Sequence, residues 1–136
     1  MKKLALFTML FVALSVMAQE KPVVAFNERT HDFGTVKEEE GKITTVFTFT
    51  NQFLAPLTIK SVKASCGCTT PDWSKEPVAP KAKGAVTVTY NTTNRPGAFT
   101  KSITVVLTNG TEDFTEVLAI KGQVTPKPVA AAAAVQ

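Results

Sequence analysis

Sulfur and imidazole are scarce in this chain, which has two cysteines, Cys66 and Cys68, and one histidine, His31, in 136 residues. A full structural zinc centre takes about four ligands, so these residues cannot supply one alone. No Ser/His/Asp set, carboxylate dyad or phosphate-cradling loop can be read from the sequence. The chain is therefore read as non-enzymatic, with a dithiol redox activity as the only enzymatic chemistry its residues suggest. Lys and Arg are scattered, without a patch interleaved with aromatics, which excludes a nucleic-acid footprint. After the N-terminal segment no stretch is apolar enough for a transmembrane helix.

That N-terminal segment begins Met1-Lys2-Lys3, runs apolar from Leu4 to Val16 and reaches Val16-x-Ala18 before Gln19. A basic start, a short hydrophobic run and a small-residue cleavage pattern predict a secretory signal peptide over residues 1–18, cut between Ala18 and Gln19. No cysteine follows the run, so the signal is not of the lipoprotein kind. Cleavage removes Lys2 and Lys3 and lowers the formal charge from +4 to +2, because all eleven acids lie after the cut. The expected location is the periplasm or the cell surface.

What remains divides into a short lead over 19–22, one domain over 23–124 and a Pro/Ala-rich tail over 125–136, read as flexible. Between Lys42 and Asn51, Ile43, Thr45, Phe47 and Phe49 alternate with Thr44, Val46, Thr48 and Thr50, the period of a strand with one buried face. Val23–Phe26, His31–Val36, Leu57–Ala64, Val86–Tyr90, Phe99–Leu107 and Glu112–Val124 read as further strands. A turn or bulge is expected at Gly34, and a second bulge where apolar parity changes between Ile59 and Val62. Asn109-Gly110 predicts a hairpin with a type I′ turn. Val117-Leu118-Ala119-Ile120 is apolar throughout, as in a strand covered on both sides. Asp72–Pro80, with its prolines, is a loop or an edge segment, and Trp73 is read as core or a lid on it. Seven or eight short strands without a helical stretch predict an antiparallel β-sandwich of immunoglobulin type.

Both cysteines fall in Ser65-Cys66-Gly67-Cys68-Thr69-Thr70-Pro71. A bond between them would close a three-residue loop, for which chain entropy gives only about 1.6 kcal/mol. In a regular strand, residues two apart place their Cα atoms too far apart for an easy S–S bond, so Gly67 is read as the turn residue that lets the sulfurs meet. A bonded pair has the profile of a minor clasp or of a redox-active disulfide. A reduced pair suits a soft metal, Cu(I) or zinc, with His31 as a third ligand if the fold brings it near.

These residues resemble a known family. His31-Asp32-Phe33-Gly34-Thr35-Val36, Phe47-Thr48-Phe49-Thr50-Asn51, Ala55-Pro56-Leu57-Thr58-Ile59 and above all Ser65-Cys66-Gly67-Cys68-Thr69 look like successive blocks of the bacterial domain of unknown function 1573 family. The resemblance runs from about Phe26 to Val124. It implies export and a sandwich similar to those of the Hydin and major sperm protein group, and it implies no activity. Phe53-Leu54 stands where that family usually has a Gly-Asn type turn, and Lys81-Ala82-Lys83 where a Pro-Gly turn is usual.

The leading functional expectation is a module that binds another exported protein through an exposed strand edge. The alternative is a thiol-redox or soft-metal protein acting through Cys66 and Cys68. No cofactor is required by the sequence.

Overall fold

The computed structural model describes residues 24–128. The expected signal peptide, its cleavage point between Ala18 and Gln19, the lead over 19–22 and the alanine run after Pro128 lie outside the described residues. Within them are eight strands: β1 (Val24–Phe26), β2 (Thr30–Lys37), β3 (Lys42–Asn51), β4 (Thr58–Ala64), β5 (Thr69–Trp73), β6 (Lys83–Asn91), β7 (Gly97–Thr108) and β8 (Asp113–Thr125). They form two four-stranded sheets, ordered β1-β3-β6-β5 and β2-β8-β7-β4. The protein is an immunoglobulin-like β-sandwich.

The alternation in β3 does what its period requires: Ile43, Thr45, Phe47, Phe49 and Asn51 are buried, and Lys42, Thr44 and Val46 are exposed. Its partner β6 buries Val86, Val88 and Tyr90 against the same layer, in register from Lys42↔Asn91 to Thr50↔Lys83. The facing sheet contributes Ile59, Val62, Phe99, Ile103, Val105, Leu107, Leu118, Ile120 and Val124, and the two sets make one core. Tyr90 and Phe99 stack across it with ring centroids 4.1 Å apart. Two cross-strand pairs join a phenylalanine to a glycine, Phe49↔Gly84 and Phe99↔Gly122. In each, the ring occupies the space a β-carbon would need, with Phe49 Cζ 2.3 Å from that position on Gly84.

Both expected bulges are present. The β2–β8 register shifts between Asp32 and Thr35, where Gly34 takes φ 66°, and the β4–β7 register shifts between Ile59 and Ser61. Glu38–Glu40 forms a single 3-10 turn closed by Gly41.

Other expectations need correction. The sandwich is not wholly antiparallel, because β2 pairs with β8 in parallel. The opening strand changes sheets partway: β1 lies against β3, Asn27–Arg29 cross over, and the chain continues as β2 beside β8. The Asn109-Gly110 turn is not type I′, which would need positive φ at both residues. Only Gly110 has it, and Thr108↔Asp113 closes a four-residue loop instead. There the Asn109 side-chain oxygen accepts hydrogen bonds from the backbone N–H groups of Thr111 and Glu112. β8 is covered on one face, since Leu118 and Ile120 are buried and Val117 is 55% exposed. The edge reading of Asp72–Pro80 holds at its start, where Asp72 and Trp73 end the edge strand Thr69–Trp73.

Candidate functional site

Residues 65–68 carry the chain from the edge of one sheet to the edge of the other. Ser65 is the last residue tied to β7, its N–H donating to the Ser102 carbonyl (2.9 Å) while its hydroxyl accepts from the Ser102 N–H (3.2 Å). On the far side, the Asn91 N–H of β6 donates to the Cys68 carbonyl (2.9 Å), which starts β5. Between them the Thr69 N–H reaches back to the Cys66 carbonyl (3.3 Å) and closes a tight turn.

Within that turn Cys66 and Cys68 form a disulfide, with Cα atoms 5.4 Å apart. Gly67 is the exposed tip. A β-carbon there would meet nothing within 4 Å, and its φ lies outside the left-handed region, so the turn itself does not demand glycine. What glycine provides is an exposed tip with no side chain between the two cysteines. Both cysteines are half-buried, and Cys68 packs against the hydrophobic core.

Directly beneath the pair is Thr69, only 4% exposed, whose hydroxyl lies 3.7 Å from Cys66 Sγ and 3.9 Å from Cys68 Sγ. Sulfur in a disulfide can only accept, so the hydroxyl donates. On the solvent side a polar groove of about 540 Å³ runs along Lys42, Thr44, Gly67, Cys68, Thr70, Thr89 and Asn91. Sequence reasoning quoted Thr69 as part of a motif and gave it no role. The alternation of Thr69, Pro71 and Trp73 on one face of β5 was the signal that could have placed it.

His31 is not brought to this corner. It sits on β2, with β8 and β7 between it and β4, so strand spacing alone puts it roughly 14 Å across the sheet. There its Nδ1 pairs with Glu28 (2.8 Å) and its ring meets Phe33 edge-on at 4.7 Å. Among the described residues no group of three or more His, Cys, Asp or Glu side chains converges as a metal site would require. Trp73 lies at the other end of β5 from the cysteines, partly buried against the core with the Lys75 ammonium 3.8 Å over its ring.

The corner also separates two unlike sheet edges. Because Cys68 turns its carbonyl toward β6, the backbone groups of Thr69, Pro71 and Trp73 point outward from β5. No free donor remains among them: the Thr69 N–H is used in the turn, Pro71 has none, and the Trp73 N–H bonds to the Asp72 carboxylate (2.9 Å). On β4 the opposite holds. Ser65 faces β7, so Ala64 and Val62 face outward, and Ile59 does the same beyond the bulge. Leu57, one step earlier, is already bridged to Val78 through both its backbone groups. Ile59, Val62 and Ala64 have no outward backbone partner among the described residues.

A family model described as "Protein of unknown function (DUF1573)" matches residues 24–124. The chain belongs to the DUF1573 family. Among solved structures, the DUF1573 domain superposes on the VesB protease of Vibrio cholerae with a TM-score of 0.64 at 14% identity, over 75% of this chain and 32% of that one. A protein of unknown function from Porphyromonas gingivalis W83 gives a TM-score of 0.62 at 11% identity, over 74% and 46%. The CupB2 chaperone of Pseudomonas aeruginosa gives 0.50 at 12% identity, over 74% and 58%. The chain thus spans a third to under two thirds of the length of these proteins, and at such identities the likeness is one of fold. No curated protein matches the chain by sequence. No helix among the described residues is long and apolar enough to cross a membrane.

Proposed function

We propose that this DUF1573 domain is an exported, non-enzymatic binding module that takes an extended segment of another exported protein onto the free edge of β4. The observation that carries this reading is the contrast between the edges. β5 has no free outward donor, β1 is three residues long, and β2 is broken by the bulge at Gly34. Among the described residues β4, though bulged between Ile59 and Ser61, keeps unbonded outward backbone groups at Ile59, Val62 and Ala64, the last two on the regular stretch beyond the bulge. An added strand binds such an edge through main-chain hydrogen bonds and gains selectivity from alternate side chains.

The charge along that edge narrows the partner. Lys63 is exposed on β4, and Lys60 beside it is held by Asp113, so a second copy laid alongside would bring the two Lys63 charges together, and a segment carrying carboxylates would not. Export to the periplasm or cell surface is supported by the signal-like residues 1–18. A chaperone among proteins of the same fold accords with a role in handling other chains.

The test is site-specific photo-crosslinking from position 63 in cells, with Ala64→Pro as the control. The Ala64 N–H faces outward, so proline there blocks strand addition without removing a bond to β7. The expected result is a discrete crosslinked product that Ala64→Pro abolishes while the melting temperature changes little. A product that survives Ala64→Pro would refute edge capture.

A further inference from the structure

Strand capture makes no use of the sulfur pair at the end of β4. We propose that Cys66–Cys68 is a thiol–disulfide exchange site for cysteinyl thiols, in which the Thr69 hydroxyl stabilises the sulfur that departs as thiolate. The bond contributes little to holding the domain together, since closing a three-residue loop removes little entropy from the unfolded chain. It is reachable, because Gly67 is exposed at the tip and both cysteines are only partly buried. A buried hydroxyl also stands ready beneath both sulfurs, at 3.7 and 3.9 Å. A single O–H can serve only one of them at a time. Once exchange places negative charge on one sulfur, the hydrogen bond commits to it and becomes charge-assisted, roughly twice as strong as a neutral one. Lys42 and Cys68 line the same groove from opposite sides of β6, which adds a cation to the approach path of an anionic thiol.

The step balances with thiol alone. A thiolate RS⁻ attacks one sulfur of the pair, an R–S–S–Cys bond forms, and the Cys66–Cys68 bond breaks with its electrons on the other cysteine. A second RS⁻ attacks the R sulfur of that mixed disulfide, releasing RSSR and the first cysteine as thiolate. Two RSH are oxidised to RSSR; one of their protons passes to one cysteine and the other to solvent, leaving the sulfur that the Thr69 hydroxyl serves as thiolate. Run backward with RSSR, the same steps restore the disulfide. Low-molecular thiols and protein cysteines share this chemistry, and the Lys42 wall favours either kind when it carries a carboxylate.

The experiment equilibrates the chain with mixtures of reduced and oxidised glutathione, or with a cysteine-containing acidic peptide and its disulfide, then alkylates and weighs it. The expected outcome is reversible conversion between the bonded pair and two alkylated cysteines. The peptide reacting faster than glutathione would assign the substrate to protein cysteines, and equal rates would assign it to thiols in general. Thr69→Val should shift the equilibrium about tenfold toward the disulfide, about 30 mV, and Thr69→Ser should restore it, a readout that a purely structural threonine would not move. A bond that resists a large excess of reduced glutathione overturns the proposal. An unchanged equilibrium in Thr69→Val removes Thr69 from it. Should that variant fail to fold, the glutathione titration of the unaltered chain decides the exchange activity alone.

Discussion

Replacing Gly84 by alanine puts one methyl group where the Phe49 ring already lies. The added carbon would sit 2.3 Å from Phe49 Cζ, 2.7 Å from Cε1 and 2.9 Å from Val78 Cγ2. Carbon contacts settle near 3.5–4.0 Å, so the ring must retreat by roughly 1 Å. Phe49 is 1% exposed and has the Phe26 ring 5.4 Å away, so no solvent-side rotamer is open to it. Overpacking of this kind costs about 1–3 kcal/mol, and the reduced freedom of the unfolded alanine chain offsets about 0.4–1 kcal/mol. A net loss of about 1–2 kcal/mol corresponds to a melting point about 4–16 °C lower for a domain of this size. Thermal and urea unfolding of Gly84→Ala measure it directly. Gly110→Ala is the contrast: nothing lies within 4 Å of its β-carbon position, and its loss should come only from holding φ at +92°. Phe49→Leu should relieve the clash, so the pair should be less harmful together than the sum of the single changes. A Gly84→Ala domain as stable as the original, or additivity with Phe49→Leu, would refute the account.

Asn51 should be the most costly polar residue to lose. Fully buried, it donates to the carbonyls of Ala55 (2.8 Å) and Val78 (3.0 Å) and accepts from the Phe53 N–H (2.9 Å). Asn51→Leu leaves the Ala55 carbonyl and the Phe53 N–H unpaired at about 1–3 kcal/mol each, while the Val78 carbonyl keeps the Leu57 N–H; urea titration should show a loss of at least about 2 kcal/mol, and a loss below about 1 kcal/mol would mean water replaces the amide. Acid should weaken the fold through two surface carboxylates. The Gly34 N–H holds the Asp32 carboxyl below its ordinary range, and the Lys60 ammonium does the same for Asp113. With the folded pKa depressed, their contribution is whole above the unfolded pKa and is lost as pH falls through the folded one. Carbon-detected NMR titration should find both midpoints below ordinary aspartate, and Asp32→Asn should flatten part of the acid limb of the stability curve.

The strands that carry a clean period of two were legible without coordinates, β3 most plainly, because one buried face leaves its mark on every second residue. The bulges were legible too, since a parity change between Ile59 and Val62 has few other causes. Pairing was not, because alternation says which face is buried and nothing about the neighbour, so the parallel β2–β8 contact left no trace. Pro77 and Pro80 marked the stretch after Asp72 as a loop or an edge, and β5 is an edge strand in which the missing N–H of Pro71 faces outward, where no ladder bond is lost. Lys81 and Asn94 both take positive φ, each at the start of a stretch whose composition marked a turn, Lys81–Gly84 and Asn94-Arg95-Pro96-Gly97. At the corner, the sequence placed two sulfurs together and marked them for chemistry. The Thr69 hydroxyl between them, and Asn51 holding the loop behind β4, depend on contacts that only the folded chain creates.

The β2–β8 pairing has a bearing on how the protein is made. The Thr125 hydroxyl bonds the Val36 carbonyl across 89 positions of chain, and the strand between β7 and β2 is the last to be synthesised. Until β8 arrives, β2 has no partner and β7 lacks its longest one, so neither Leu118 nor Ile120 can close the core. Such distant contacts make for slow folding. A nascent chain wired this way cannot complete its second sheet until β8 is delivered, although β1, β3, β6 and β5 pair without it.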